Sequence, residues 1–256
     1  MKVAVTGKGG VGKTTVTAAL ARTIARLGTP VVAVDADPNP NLGIALGLGL
    51  DANARLDGVA NDVLKRRAAA HGHSHDGDEP PAPEPAAEEL LDRLGCLAPD
   101  GVRLLQTGRI ERPSDGCLCC GSHRSTRRMF EELSAVDRLV IADLEAGVTD
   151  LCWTDPKPTD TVLVIATPDR SSVEIARRAI RVARDLQVGR IIVAANRVQH
   201  AGEAAGLRDL LEGVEVVEIP EDPAIAAAER REVSPLDLTP KSPAMLALHG
   251  LALRLL

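Results

Sequence analysis

"GKGGVGKT" (residues 7–14) follows the apolar run "KVAV" (2–5) and opens "TTVTAALARTIARLG", whose apolar positions recur every three or four residues until Gly28. It satisfies G-x-x-x-x-G-K-[ST], and a strand before it with a helix after it is the setting in which that pattern cradles phosphate. Glycines let backbone N–H groups curl around phosphate oxygens, and the helix N-terminus adds positive potential. Gly7, Gly9, Gly10, Val11, Gly12, Lys13, Thr14 and Thr15 are therefore expected around a nucleotide, with Lys13 on the outer phosphates and Thr14 on Mg²⁺. The plainer alternative is a glycine-rich turn.

Four further runs, "PVVAVDA" (30–36), "RLVIAD" (138–143), "TVLVIAT" (161–167) and "GRIIVAAN" (189–196), are apolar throughout. Strands of that kind are buried on both faces, as in a parallel sheet covered by helices. With the weaker "VRLLQ" (102–106) and "VEVVEIP" (214–220) they predict a single α/β domain over residues 1–256. Its core is a mostly parallel sheet of about seven to eight strands with helices on both faces, a P-loop NTPase. "HGHSHDGDEPPAPEPAAEE" (71–89) has no apolar period and is rich in Pro, Gly and acid, which predicts a solvated, disordered insertion. The terminal "SPAMLALHGLALRLL" reads as a helix packed on the core, since it carries too few basic residues for a membrane-surface anchor.

Composition narrows the partners. The formal net charge is −6, and Trp153 and Phe130 are the chain's aromatic residues apart from histidine. Base stacking, an aromatic membrane belt and a concentrated basic surface are all disfavoured. No signal peptide or spanning run is apparent, so the expectation is a cytoplasmic protein without nucleic-acid or membrane partners. In a reducing compartment clustered cysteines are more often metal ligands or redox groups than disulfides.

Lys8, directly after the first glycine in "KGGVGKTT", resembles the signature lysine of the deviant P-loop ATPases, a group that includes MinD, ParA and nitrogenase iron protein. In that group this lysine reaches the nucleotide of the partner subunit, so the resemblance implies a homodimer closing on ATP. "VDADPNPNL" (34–42) follows the second strand. Asp37 there matches the group's switch aspartate and is the candidate to place the attacking water, while Asp35 would support Mg²⁺ water or the loop itself. An ordinary Asp-Pro-Asn turn is the alternative. In "LVIADLEAG" (139–147) Asp143 ends a strand and is a candidate for the Mg²⁺ shell. Glu145, Ala146 and Gly147 would form a second switch. Asn196 and Arg197 match the group's N-[KR]-V, with the Asn amide on adenine, and Pro220, Glu221 and Asp222 resemble its base-flanking loop.

"GCLCCGS" (116–122) supplies three of the chain's five cysteines. Followed by a helix and "DLEAG", it resembles the CooC-type ATPases, nickel-handling accessory proteins of carbon monoxide dehydrogenase. Two thiols at i and i+2 of an extended segment project to one side and leave a four-coordinate ion half ligated. A two-fold axis would bring Cys117 and Cys119 of a second copy to complete it, for tetrahedral Zn²⁺ or planar Ni²⁺. Cys120 stands where relatives usually have Pro, and it and His123 are further candidate ligands; the competing picture is a buried cysteine group without metal. Cys96 and Cys152 read as isolated small hydrophobes. His71, His73 and His75, with Asp76 and Asp78, suit either metal storage or a polar linker. The rival functions are a ParA/MinD-type positioning ATPase, a metal- or redox-sensing nucleotide switch, and a GTP-dependent nickel chaperone.

Overall fold

A computed structural model describes residues 1–62, 85–110, 118–153, 159–211 and 213–256, the side chains of 118–123 and 152–153 excepted. Its centre is an eight-stranded sheet in the order β3-β4-β2-β5-β1-β6-β7-β8. The strands are β1 (Lys2–Gly7), β2 (Val31–Asp35), β3 (Cys96–Leu97), β4 (Arg103–Gln106), β5 (Leu139–Asp143), β6 (Thr161–Ala166), β7 (Arg190–Val198) and β8 (Glu215–Pro220). All neighbours are parallel except the short edge strand β3, which runs antiparallel to β4.

The uniform apolarity of the strands has the cause expected of it. Val3, Val5, Ile141, Leu163 and Ile165 face one layer of helices, and Ala4, Val140, Ala142, Val162 and Val164 face the other. The first layer contains α1 (Lys13–Arg26), α2 (Leu42–Leu46) and the terminal helix, with α3 (Leu50–Ala54) following α2. The second is built from α4 (Ala87–Leu94), α5 (Leu118–Glu132), α6 (Thr149–Trp153), α7 (Arg170–Asp185) and α8 (Ala201–Leu210). Two short helices, α9 (Pro223–Glu229) and α10 (Pro235–Leu238), lead to α11 (Pro243–Leu255), which buries Met245, Leu248, Leu251 and Leu255 as the sequence suggested. Arg22, 2% exposed, donates to Asp100 (2.6 Å) and through both terminal nitrogens to Asp237 (2.6 and 2.8 Å), fastening α1 to the C-terminal region.

Two expectations change. Within the stretch 71–89 expected to be disordered, Ala87–Glu89 form the first turn of α4, where Ala87 and Leu90 are buried on the side of α5. Three acidic or small residues at a helix start suit the positive helix terminus, which is why a composition typical of disorder ends in ordered structure. Residues 63–84, including His71, His73, His75, Asp76 and Asp78, lie outside the described residues. The second change concerns the cysteines: α5 begins at Leu118, so the backbone at Cys119 and Cys120 is helical where an extended segment was expected.

Among the described residues no helix is long and apolar enough to cross a membrane.

Candidate functional site

β1 lies between β5 and β6, with β2 beyond β5, so the chain switches direction across the sheet beside β1. Open parallel sheets place their ligand crevice at such a point, outside the carboxyl ends of the strands. The register puts Val5 opposite Asp143 and Asp35 opposite Asp143, which delivers the phosphate loop and two carboxylates to one level.

The loop conformation depends on glycine at two positions. Gly12 (φ 94°) precedes α1 without a side-chain cap, leaving the first helical N–H groups for an anion, and a Cβ there would lie 2.7 Å from Asn196 Nδ2. Gly7 (φ 150°) passes so close to β6 that a Cβ would sit 2.4 Å from the Ile165 carbonyl oxygen. That neighbour is sheet backbone and cannot yield. Gly7→Ala is expected to cost about 3 kcal/mol, a fall of roughly 6–12 °C in Tm by thermal unfolding. A Tm equal to wild type would contradict this packing.

Lys13 is 8% exposed, and its Nζ donates to the Lys8 carbonyl at 3.4 Å. Thr14 Oγ1 donates to Asp143 Oδ2 at 2.6 Å, and Thr17 Oγ1 approaches Asp143 Oδ1 at 3.4 Å. Burial pushes Asp143 up to about 6, opposed by the two hydroxyls and the Lys13 charge and assisted by Asp37. Burial, then the charge of Asp143, likewise hold Asp35 well above the usual carboxylate range. Two carboxylates kept in an apolar floor are poised for a cation. The hydroxyl and carboxylate oxygens of Thr14 and Asp143 suit Mg²⁺, which takes one or two protein oxygens and keeps several waters.

The two segments expected to act as switches are held by hydrogen bonds in this structure. Asp35 is fully buried and accepts from the Asp37 N–H (3.3 Å) and the Leu42 N–H (2.8 Å). Of the two roles open to it, holding the loop is the one its geometry displays. Asp37 is half-buried and its Oδ1 accepts from Asn39 N–H at 2.8 Å, so the turn chemistry weighed for this stretch is present, and its charge is one of those that raise Asp143. The second switch is stitched to β1: Gly147 N–H donates to the Gly7 carbonyl (3.0 Å) and Thr6 Oγ1 to the Gly147 carbonyl (2.7 Å). Glu145 N–H donates to Asp150.

Beside the loop opens a cavity of about 620 Å³ lined by Gly12, Thr15, Asn196, Arg197, Pro220, Glu221 and Asp222 among others. The residues proposed from three separate stretches thus meet. A register shift between Ala195 and Val198, with Arg197 at φ 58°, ends regular pairing of β7 here, as bulges beside binding sites do. Asn196 donates through Nδ2 to the Val11 carbonyl at 2.7 Å, so one of its N–H groups braces the phosphate loop. Asp222 caps α9 and accepts from Ala244 N–H, an architectural use of its carboxylate. Gln199, which the sequence reading missed, holds Glu221 at 2.5 Å on the cavity rim. Its place directly after Asn196-Arg197-Val198 was the available signal.

Lys8 turns within its own chain, onto Ser171 Oγ (2.6 Å) and Asp169 Oδ1 (3.3 Å). Asp169 caps α7, and its carboxyl sits well below the ordinary range because Ser171 and Thr167 donate to it, with further help from Ser172 N–H and Lys8. Asp169 and Ser171 were also missed; an Asp before a helix with Ser in its first turn is a capping signature that could have singled them out.

Cys117 lies outside the described residues, as do the side chains of Cys119, Cys120 and His123. The extended geometry on which thiols at i and i+2 share a side does not apply to a helical backbone at Cys119. Cys96 is half-buried in β3 with a free thiol.

A parallel sheet with a phosphate loop after its central strand, a buried carboxylate on the loop threonine and a cavity at the helix start define a P-loop nucleotide-binding domain. The chain belongs to the CobQ/CobB/MinD/ParA nucleotide binding domain family, which it matches over residues 2–236. It is 30% identical over 233 residues to an uncharacterised ATP-binding protein of Methanocaldococcus jannaschii, covering 90% of this chain and 88% of that one. It is 29% identical over 242 residues to the carbon monoxide dehydrogenase accessory protein CooC of Rhodospirillum rubrum, covering 94% and 91%. The fold resembles the cell division ATPase MinD of Pyrococcus furiosus with a TM-score of 0.74 at 21% identity, over 99% and 97% of the two chains.

Proposed function

We propose that this chain is a Mg²⁺-dependent ATPase that dimerises around nucleotide and serves as a cytoplasmic metallochaperone, taking nickel or zinc as cargo for carbon monoxide dehydrogenase or a similar metalloenzyme. The observation that carries the hydrolytic half is the Thr14–Asp143 hydrogen bond, at a carboxylate whose titration feels both Lys13 and Asp37. Support for the cargo comes from the Cys117/Cys119 pair and the likeness to the accessory protein over 94% of this chain.

Phosphoryl transfer asks the protein mainly for positioning and charge. The N–H groups of residues 9–14 and Lys13 would hold the phosphates, and Thr15, Asn196, Arg197, Pro220 and Glu221 would enclose the base. Thr14 and Asp143 would hold Mg²⁺, which when bound supplies neutralisation of phosphate charge. Asp37 would orient the attacking water, and Lys8, on leaving Asp169 and Ser171, would reach the nucleotide of a second copy.

Titration of the purified dimer with Ni²⁺ or Zn²⁺ is expected to saturate at about half an equivalent per chain, because one site on a two-fold axis serves two chains. Cys117→Ser combined with Cys119→Ser is expected to abolish binding. Full binding by that variant would reject the shared thiol site, and Cys120→Ser measured alongside would show whether the third thiol contributes.

A further inference from the structure

The segment holding Asp35 and Asp37 is hydrogen-bonded to residues that precede the cysteine stretch and, through Thr107, to the helix that follows it. Thr107, fully buried just past β4, receives its position from the Asp35 carbonyl, to which its N–H (2.9 Å) and its Oγ1 (3.2 Å) both donate. Thr126, in the middle of α5 and 2% exposed, donates through Oγ1 to Thr107 Oγ1 at 3.0 Å. Three residues beyond Thr107, Ile110 N–H donates to the Pro38 carbonyl at 3.2 Å. The far end of α5 is tied elsewhere: Lys2 Nζ, from β1, donates to the carbonyls of Phe130 and Glu131. Neither threonine hydroxyl has a part in nucleotide chemistry, and a helix–loop contact in an apolar layer could have been made by two aliphatic side chains at less desolvation cost.

We propose that Thr107 and Thr126 are positioning residues, a buried hydroxyl relay that passes the state of the 35–38 loop to α5. The Asp35 carbonyl accepts at one end and Thr126 donates at the other, so the three groups form one directed chain whose links polarise one another. Asp35 ends β2 and Asp37 follows two residues on, so a rearrangement of this segment on γ-phosphate loss would be felt at Thr107. Because Lys2 pins the C-terminal end of α5, the displacement appears toward its start at Leu118, beside Cys119. The relay rests on the nucleotide cycle proposed above and is independent of the metal cargo; joined to that cargo, it would tie metal capture to the nucleotide state.

The test is amide hydrogen exchange of α5 peptides in the full-length protein, bound either to Mg-ADP or to a Mg-bound non-hydrolysable ATP analogue. In wild type the two states are expected to differ about fivefold or more in exchange rate, the lower end of an allosteric coupling. Thr126→Val should bring the ratio to about one, while Thr126→Ser, which keeps the hydroxyl, retains it; ATP hydrolysis by both should match wild type. A Thr126→Val protein that keeps the wild-type ratio overturns the relay, and so does a wild type that binds both nucleotides with identical α5 exchange. If Thr126→Val fails to fold by circular dichroism, Thr126→Ala carries the same comparison. Loss of metal binding with an intact exchange ratio would reject the cargo and leave the relay standing.

Discussion

Lys8→Gln is expected to cut ATP turnover about a thousandfold or more, the scale of a charged group contributed in trans to phosphoryl transfer. The structure makes the result interpretable, because in the single chain Lys8 touches only the periphery of the site. Its ion pair with Asp169 is exposed on both sides (40% and 49%), and exposed pairs contribute roughly 0–1 kcal/mol. Thermal stability and ATP binding should therefore stay near wild type, since Lys13 and the loop amides remain. Nucleotide-driven dimerisation, followed by light scattering, should vanish together with turnover. A variant that remains monomeric yet hydrolyses ATP at the wild-type rate would remove the second copy from the mechanism.

The second large effect has opposite signs on stability and activity. Burial raises Asp143 to about 6 in the folded chain, from 3.8. Between those values the folded state binds more protons than the unfolded, so stability falls as pH rises through the window, and the full penalty is present at pH 7.5. Asp143→Asn removes the buried charge and keeps one oxygen for the Thr14 hydroxyl; Thr17 retains its bond to the Lys13 carbonyl at 2.9 Å. The variant should be more stable than wild type by about 1–3 kcal/mol at pH 7.5 in the presence of a chelator, with the gap closing near pH 4. Its Mg²⁺-dependent hydrolysis should fall by about a hundredfold or more. Equal stability at both pH values would mean that this carboxylate is not strained in the free chain, and undiminished hydrolysis would take Asp143 out of the cation site.

These outcomes separate two kinds of residue. Gly7, Lys13 and Asp143 could be assigned from short stretches because each follows or ends an apolar strand, and the strand period alone places them at the carboxyl edge. Asn196 was legible as a strand-end residue but not as the brace of Val11, since β7 and the loop after β1 are separated by β6 in the sheet and by 185 residues in the chain. Asp35 was read with two roles, and only the tertiary structure shows how it holds the loop, through the N–H groups of Asp37 and Leu42. The cysteine stretch misled in a different way. Its Gly, Ser and Cys content suits a turn as well as a helix start, and α5 begins at Leu118, inside the segment that was read as extended.

The amino-acid sequence by itself determined the layered parallel sheet and the phosphate loop. Both are written in local patterns: uninterrupted apolar runs that must be covered on two faces, and glycines at the one junction where backbone N–H groups must converge. It also carried the likeness to the accessory ATPases through the placement of Lys8 and the thiols. Only the tertiary structure decided which distant groups meet. Asp143 under Thr14, Asp169 holding Lys8, the cavity between Thr15 and Glu221, and Thr126 joined to Asp35 through Thr107 all depend on strand order and helix placement. No window of sequence contains both partners of any of these contacts, and their hydrogen bonds form only when the sheet has set its register.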